Sequence, residues 1–312
     1  MVTPATIALR SRRLLLLACS VVVVGCGPRT TPGVAPAAAA VIERTVARSQ
    51  CFPVEQLPPR LRAFNEQLLL DALDSEALYT ILATIKPVSG GFAQWRIDLA
   101  SPEVEALDDA RQALRTWTCG EALAAGAHHF AQIFDDQRAV QAWVARRPQV
   151  QDLVKRRSGF FHPLGVTPHA DLDEVLLAVE HAEPSTRFRG YGWLFGYPDY
   201  AVDFFVEAAR SEKRTGEFVK RDARSVPVFK RPTNAFVWVR PVGAADTAVD
   251  VDIEARATPV LAAYRQARAR YIGPGKPGVV EMLREWLCDR RGRCGGAPHP
   301  PAWTSAPPTP TP

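Results

Sequence analysis

Apolar residues recur at helical spacing through most of this chain and switch to strict alternation in one region, and that order constrains the fold more than any other feature. Leu57, Leu61, Phe64 and Leu68 recur every three or four residues from Pro58-Pro59 onward and predict a helix. Asp74 is placed to cap a second one through Leu78, Ile81, Leu82 and Ile85, which Pro87 and Gly90-Gly91 would stop. Ser101-Pro102 marks another helix start, with Val104, Leu107 and Leu114 on its apolar side. Helical stretches are also expected at 121–135, 136–146, 172–183, 199–214, 259–272 and 278–288, with Thr258 and Gly273 bracketing the fifth of these as cap and stop. Period two is clear at one place: Val249, Val251 and Ile253 alternate with Asp250, Asp252 and Glu254, and Phe236–Arg240 before them is strongly strand-forming. Gly243 to Asp246 would turn between the two, giving an antiparallel hairpin extended by 226–230 and 92–99. Helices, then strands, then helices, without regular alternation, predict an α+β fold: a mainly helical single domain with a small antiparallel sheet rather than a doubly wound one.

The two ends do not share this patterning. Arg10, Arg12 and Arg13 precede an apolar run of eleven residues, Leu14 to Val24, ending at Gly25-Cys26. A bilayer span needs roughly 20 apolar residues, whereas an export signal needs about 7 to 15. Val23-Val24-Gly25-Cys26 resembles the lipobox of bacterial lipoprotein precursors; Leu16-Leu17-Ala18-Cys19 fits the pattern more loosely and has only four leucines before it. The resemblance covers the first 26 residues and implies cleavage before Cys26, acylation of Cys26 and a membrane held through the N-terminal lipid. Gly27, where an aspartate would favour retention in the inner membrane, points to the outer membrane, facing the periplasm or the surface. A linker over 26–50, rich in Ala, Pro and Thr, would reach roughly 25 to 30 Å as a flexible chain. The tail, 295–312, holds seven prolines in eighteen residues and favours polyproline II over a packed element. The globular domain is then expected at 51–294. The formal charge is +5, of which the three arginines of the signal account for three, leaving +2. No basic stripe interleaved with aromatics is present, so nucleic acid is a disfavoured partner; an envelope glycan or protein is the expected one.

With Cys19 removed and Cys26 acylated, four cysteines remain: Cys51, Cys119, Cys288 and Cys294. An even remainder in an exported chain suggests two disulfides. Three pairings are open; the close pair Cys288 and Cys294 flanks a short charged segment and would leave Cys51 to join Cys119. A four-cysteine zinc site would compete, but no C-x-x-C spacing supports it.

The segment 188–205 holds eight of the chain's 27 aromatic residues. Tyr191, Trp193 and Tyr197 could stack on a flat ligand with Arg189 binding an anionic group, or the rings could fill a core. The glycines 190, 192 and 196 lack the spacing of a dinucleotide fingerprint, and nothing else calls for a cofactor. His128-His129, in a stretch read as helical, and the cluster His169, Asp171 and Asp173 lack metal-ligand spacing, and Asp171 reads as a helix cap. On a strand, Asp250, Asp252 and Glu254 would share one face at about 6.5 Å intervals, a separation suited to glycoside cleavage or equally to a solvated edge. Serine chemistry has no footing: there is no G-x-S-x-G, and Lys86 to Ser89 has the Ser/Lys pair in reverse order. Two functions stand: a lipid-anchored binding or scaffold domain without catalysis, and an anchored hydrolase using those carboxylates.

Overall fold

Short β1 (Val46–Ala47) leads into two single-turn 3-10 segments and then into α1 (Pro59–Leu73), which begins on proline because the first helical N–H has no partner to lose. The computed structural model describes residues 45–102, 104–230 and 236–295, with 298 and 301. Cys26, the expected export signal and most of the expected linker and tail lie outside the described residues. About half of the structure is helix and a fifth is strand, in small antiparallel sheets, so the mixed α+β class is the one observed.

After α1 the chain makes one buried turn, α2 (Leu78–Ile81), then β2 (Val88–Asp98), α3 (Glu105–Leu114), β3 (Leu123–Phe134) and β4 (Gln137–Arg146). Asp74 ends α1 instead of starting a helix; its buried carboxylate accepts from the Tyr264 hydroxyl at 2.7 Å and from Arg268 Nε at 2.8 Å. The stretches 121–135 and 136–146, expected to be helical, are the two strands of a hairpin. Asp135 and Asp136 both take positive φ, 48° and 58°, the two-residue turn that matches strand twist. The sheet order is β2-β4-β3, all antiparallel, so β4 is central. Its Ala142 and Val144 face one core while Trp143 and Ala145 face a second. Burial on both faces erases alternation, which is why the segment read as helix.

α4 (Arg147–Arg156), the single turn α5 (Ser158–Phe161), α6 (Leu172–Glu180) and α7 (Pro184–Leu194) cover the second core. Asp171 caps α6 with Glu174 in a capping box, as its position predicted. Glu183 caps α7, accepting from the Ser185 and Thr186 amides at 2.9 and 2.7 Å. The aromatic segment is therefore helical from its start, continuing through a turn into α8 (Asp199–Thr215). Gly190 and Gly192 are present for close packing: a Cβ at Gly192 would sit 2.6 Å from Val202 of α8, and one at Gly190 2.7 Å from Val179 of α6.

β5 (Arg221–Val226) pairs with β6 (Phe236–Pro241), so the expected strand at 236–240 is present but its partner lies before it in the chain. The expected strand 249–253 is instead the first turns of α9 (Ala248–Tyr271), started by a capping box between Thr247 and Asp250. Pro259 lies inside this helix, not at its start. The 92–99 strand belongs to the three-stranded sheet, not to the β5–β6 pair. α10 (Val279–Leu287) and β7 (Arg293–Cys294) follow, with β7 pairing antiparallel to β1. The packed body thus takes in residues before Cys51, and Gly295 and Pro301 beyond Cys294 are buried. Two disulfides close it, Cys51–Cys119 and Cys288–Cys294. No helix among the described residues is long and apolar enough to cross a membrane.

Candidate functional site

Helices α7 and α8 pack through Gly192, α8 also packs on β6, and residues of all three elements line a cavity of about 300 Å³. Phe188, Tyr191, Phe195, Tyr197, Phe205 and Trp238 supply most of its wall, joined by Val237 and Val239. Tyr191 stacks on Phe195 at 5.4 Å between ring centroids, and Tyr197 on Phe236 at 5.9 Å, so the rings support one another before any ligand arrives. Among the described residues that line it, none carries a carboxylate, an imidazole or an amine.

Three polar assemblies hold this wall in place. Lys86, wholly buried, pairs with Glu76 at 2.7 Å, and its ammonium lies 4.4, 5.7 and 6.0 Å from the ring centroids of Phe236, Phe195 and Tyr197. Burial pulls the Lys86 pKa below that of an ordinary lysine, and Glu76 opposes the change. Burial likewise pushes the Tyr197 hydroxyl up, so it stays protonated.

On another side, Tyr191 donates to Glu180 at 2.7 Å and lies 3.2 Å from His128 Nε2. Glu180, also buried, accepts the Ala131 amide at 2.9 Å and faces Arg187 at 3.5 Å. Burial pulls His128 down to about 4, against the pull of Glu180, so its ring is neutral at pH 7. A neutral ring beside a hydroxyl already donating to Glu180 presents Nε2–H to the tyrosine oxygen, which leaves Nδ1 as a buried acceptor without a partner. The third assembly centres on Asp250, whose carboxylate accepts from Trp238 Nε1 at 2.9 Å, Tyr200 at 2.8 Å, and the Thr247 amide and hydroxyl at 2.7 and 2.8 Å. Burial pushes this carboxyl up, but the four donors outweigh it and hold it below the usual range.

The structure divides the residues singled out in the sequence. Tyr191 and Tyr197 line the cavity. Trp193 and Arg189 do not; Trp193 faces a separate polar cleft with Arg156, Arg157 and Asp199, donates to Asp199 at 2.9 Å and lies under the guanidinium of Arg157 at 4.5 Å. Arg189 pairs with Asp203 instead. The three carboxylates do not share a strand face, because α9 turns them apart: Asp250 is committed to its cap, Asp252 is exposed beside Arg256 and Glu254 pairs with Arg224. His128 and His129 are neighbours on β3, so their side chains point to opposite faces. Among the described residues, the His, Cys, Asp and Glu side chains close enough to share an ion are Cys51, Cys119 and Cys294, all disulfide-bonded. Trp238, Val237, Val239 and the Lys86–Glu76 pair went unnoticed in the sequence. The strand signal at 236–240 was visible, but nothing local said that it would close over 188–205. Comparison with known protein families, curated proteins and solved structures finds no match for this chain.

Proposed function

We propose that this is a lipid-anchored cell-envelope protein whose body binds a small, flat, apolar ligand in the cavity between α7, α8 and β6, without catalysing a reaction on it. The aromatic wall carries the reading. It offers ring faces and aliphatic contact, while the charged groups against its rings, Lys86, Glu180, Asp250, Arg187 and Arg221, are already paired. The volume equals that of about ten waters and suits a compound of one or two rings or a short acyl group. A sugar would leave most of its hydroxyls without partners against this lining, which disfavours a glycan as the ligand. The anchor rests on Val23-Val24-Gly25-Cys26, and the two bridges fit an oxidising compartment.

Titration with the neutral two-ring fluorophore 1-naphthylamine tests the cavity. Binding is expected with quenching of tryptophan emission, and Val239→Phe, which fills the space, should weaken it at least tenfold while circular dichroism stays unchanged. Equal binding by the variant would place the ligand elsewhere. Incorporation of labelled palmitate tests the anchor: loss of label in Cys26→Ala is expected, and label retained on that variant would overturn it.

A further inference from the structure

The sulfur atoms of Cys51, Cys119 and Cys294 all lie within 4.8 Å of one another, although Cys294 is bonded to Cys288 and not to either of the other two. Backbone contacts hold this approach independently of the S–S bonds. Cys294 sits opposite Val46 in the β1–β7 pair, just before the turn into Cys51. The Phe52 amide donates to Thr118 O at 2.7 Å beside Cys119, and Arg284 donates to the carbonyls of Cys51 and Phe52 at 2.9 and 3.0 Å. Cys51, Cys119 and Cys294 are at most 2 % exposed; Cys288, at 6 %, is the most open of the four and adjoins the exposed arginines 290 and 291.

We infer that the two bridges form one thiol-exchange centre, in which an external thiol that opens Cys288–Cys294 is answered at Cys51–Cys119 through Cys294. The external thiolate attacks Cys288 Sγ, the Cys288–Cys294 bond breaks, and Cys294 leaves as a thiolate. That thiolate attacks the sulfur of Cys51 or Cys119, forming a new bridge and releasing the other as a thiolate that takes a proton from solvent. With a monothiol there is no net change of electrons, and Cys288 stays in the mixed disulfide. With a dithiol, the second thiol displaces Cys288. The dithiol then leaves oxidised by two electrons, and the protein keeps one rearranged bridge and two thiols. The chemical partner is accordingly a small dithiol or a dithiol protein. The relay has a direction, because Cys294 belongs to the close trio and Cys288 does not.

Two full-length variants test the direction, each alkylated at equilibrium under non-reducing conditions and mapped by peptide mass spectrometry. In Cys288→Ser the one free thiol among the body cysteines starts on Cys294, and label is expected on Cys51 or Cys119 as well, at a tenth of the body total or more. In Cys294→Ser the free thiol starts on Cys288, and label is expected there alone. Label confined to Cys294 in the first variant, or equal scrambling in both, overturns the relay. A variant that fails to fold, judged by near-ultraviolet circular dichroism, is replaced by the unaltered protein treated with less than one equivalent of phosphine. A bridge containing Cys294 together with Cys51 or Cys119 is then expected, and an untouched Cys51–Cys119 in every once-reduced molecule overturns the relay.

Discussion

His128 makes the stability of this fold depend on pH in a window that can be calculated. Its ring is 4 % exposed and its pKa falls from an ordinary 6.5 to about 4. Between those values the unfolded chain binds a proton that the folded chain refuses, so the contribution is fully present above pH 6.5 and is lost as pH falls toward 4. A gap of roughly 2.5 pH units, at about 1.4 kcal/mol each, sets a ceiling of about 3 kcal/mol. Between pH 7.0 and pH 4.5 the same two values give a loss of about 2 kcal/mol, a change of some tens-fold in the folding equilibrium. Other groups also titrate on acidification, including His129, whose pKa is likewise lowered by burial. The informative quantity is therefore the difference between the protein and His128→Gln, which keeps a donor for Tyr191 and does not titrate. Equilibrium unfolding in guanidinium chloride at several pH values, followed by tryptophan emission, measures it. The protein should lose about 2 kcal/mol more than the variant between pH 7.0 and 4.5. Parallel loss in the two proteins would refute the reasoning, as would a His128 ring signal titrating near 6.5 by NMR.

Glu76→Gln strands the Lys86 ammonium in a wholly buried site and should cost about 3 to 5 kcal/mol by chemical denaturation, whereas Lys86→Met, which leaves the partly exposed Glu76, should cost far less. Gly192→Val should destabilise by about 1 to 3 kcal/mol in the same assay, because even a Cβ there meets Val202 at 2.6 Å and the side chain must force α7 from α8. The sequence separations of 68 and 6 give chain-entropy contributions of about 4.4 kcal/mol for Cys51–Cys119 and about 2.2 kcal/mol for Cys288–Cys294. Alanine pairs at the two bridges should therefore differ roughly twofold in their unfolding free-energy loss, and an equal loss would count against a loop-entropy origin.

Local chemistry that acts within one turn of chain was legible at several places. Proline at the start of α1, Asp171 before α6, the apolar spacing of α8 and the β-branched and aromatic run of β6 each work through neighbours a few residues away, and each was read correctly. The same kind of signal also stood at Thr247 and Asp250, where T-x-x-D announces a helix start; the alternation of Val249, Val251 and Ile253 obscured it. In the structure Val249 and Val251 are exposed and only Ile253 packs inward, so that alternation reflects helix composition and not a pleated face.

The α+β class, the even count of body cysteines and the concentration of rings at 188–205 were settled by residue type and order, because periodicity, valence and composition are properties of the chain itself. Tertiary structure alone decided that β4 lies between two cores, that Tyr191 and Tyr197 share a cavity while Trp193 and Arg189 turn away, and that Cys294 rests beside a bridge it does not belong to. Those outcomes depend on which distant surfaces meet. The meeting of β6 with α7 and α8, or of β1 with β7, is fixed by packing summed over many residues, and no short window of sequence carries that sum.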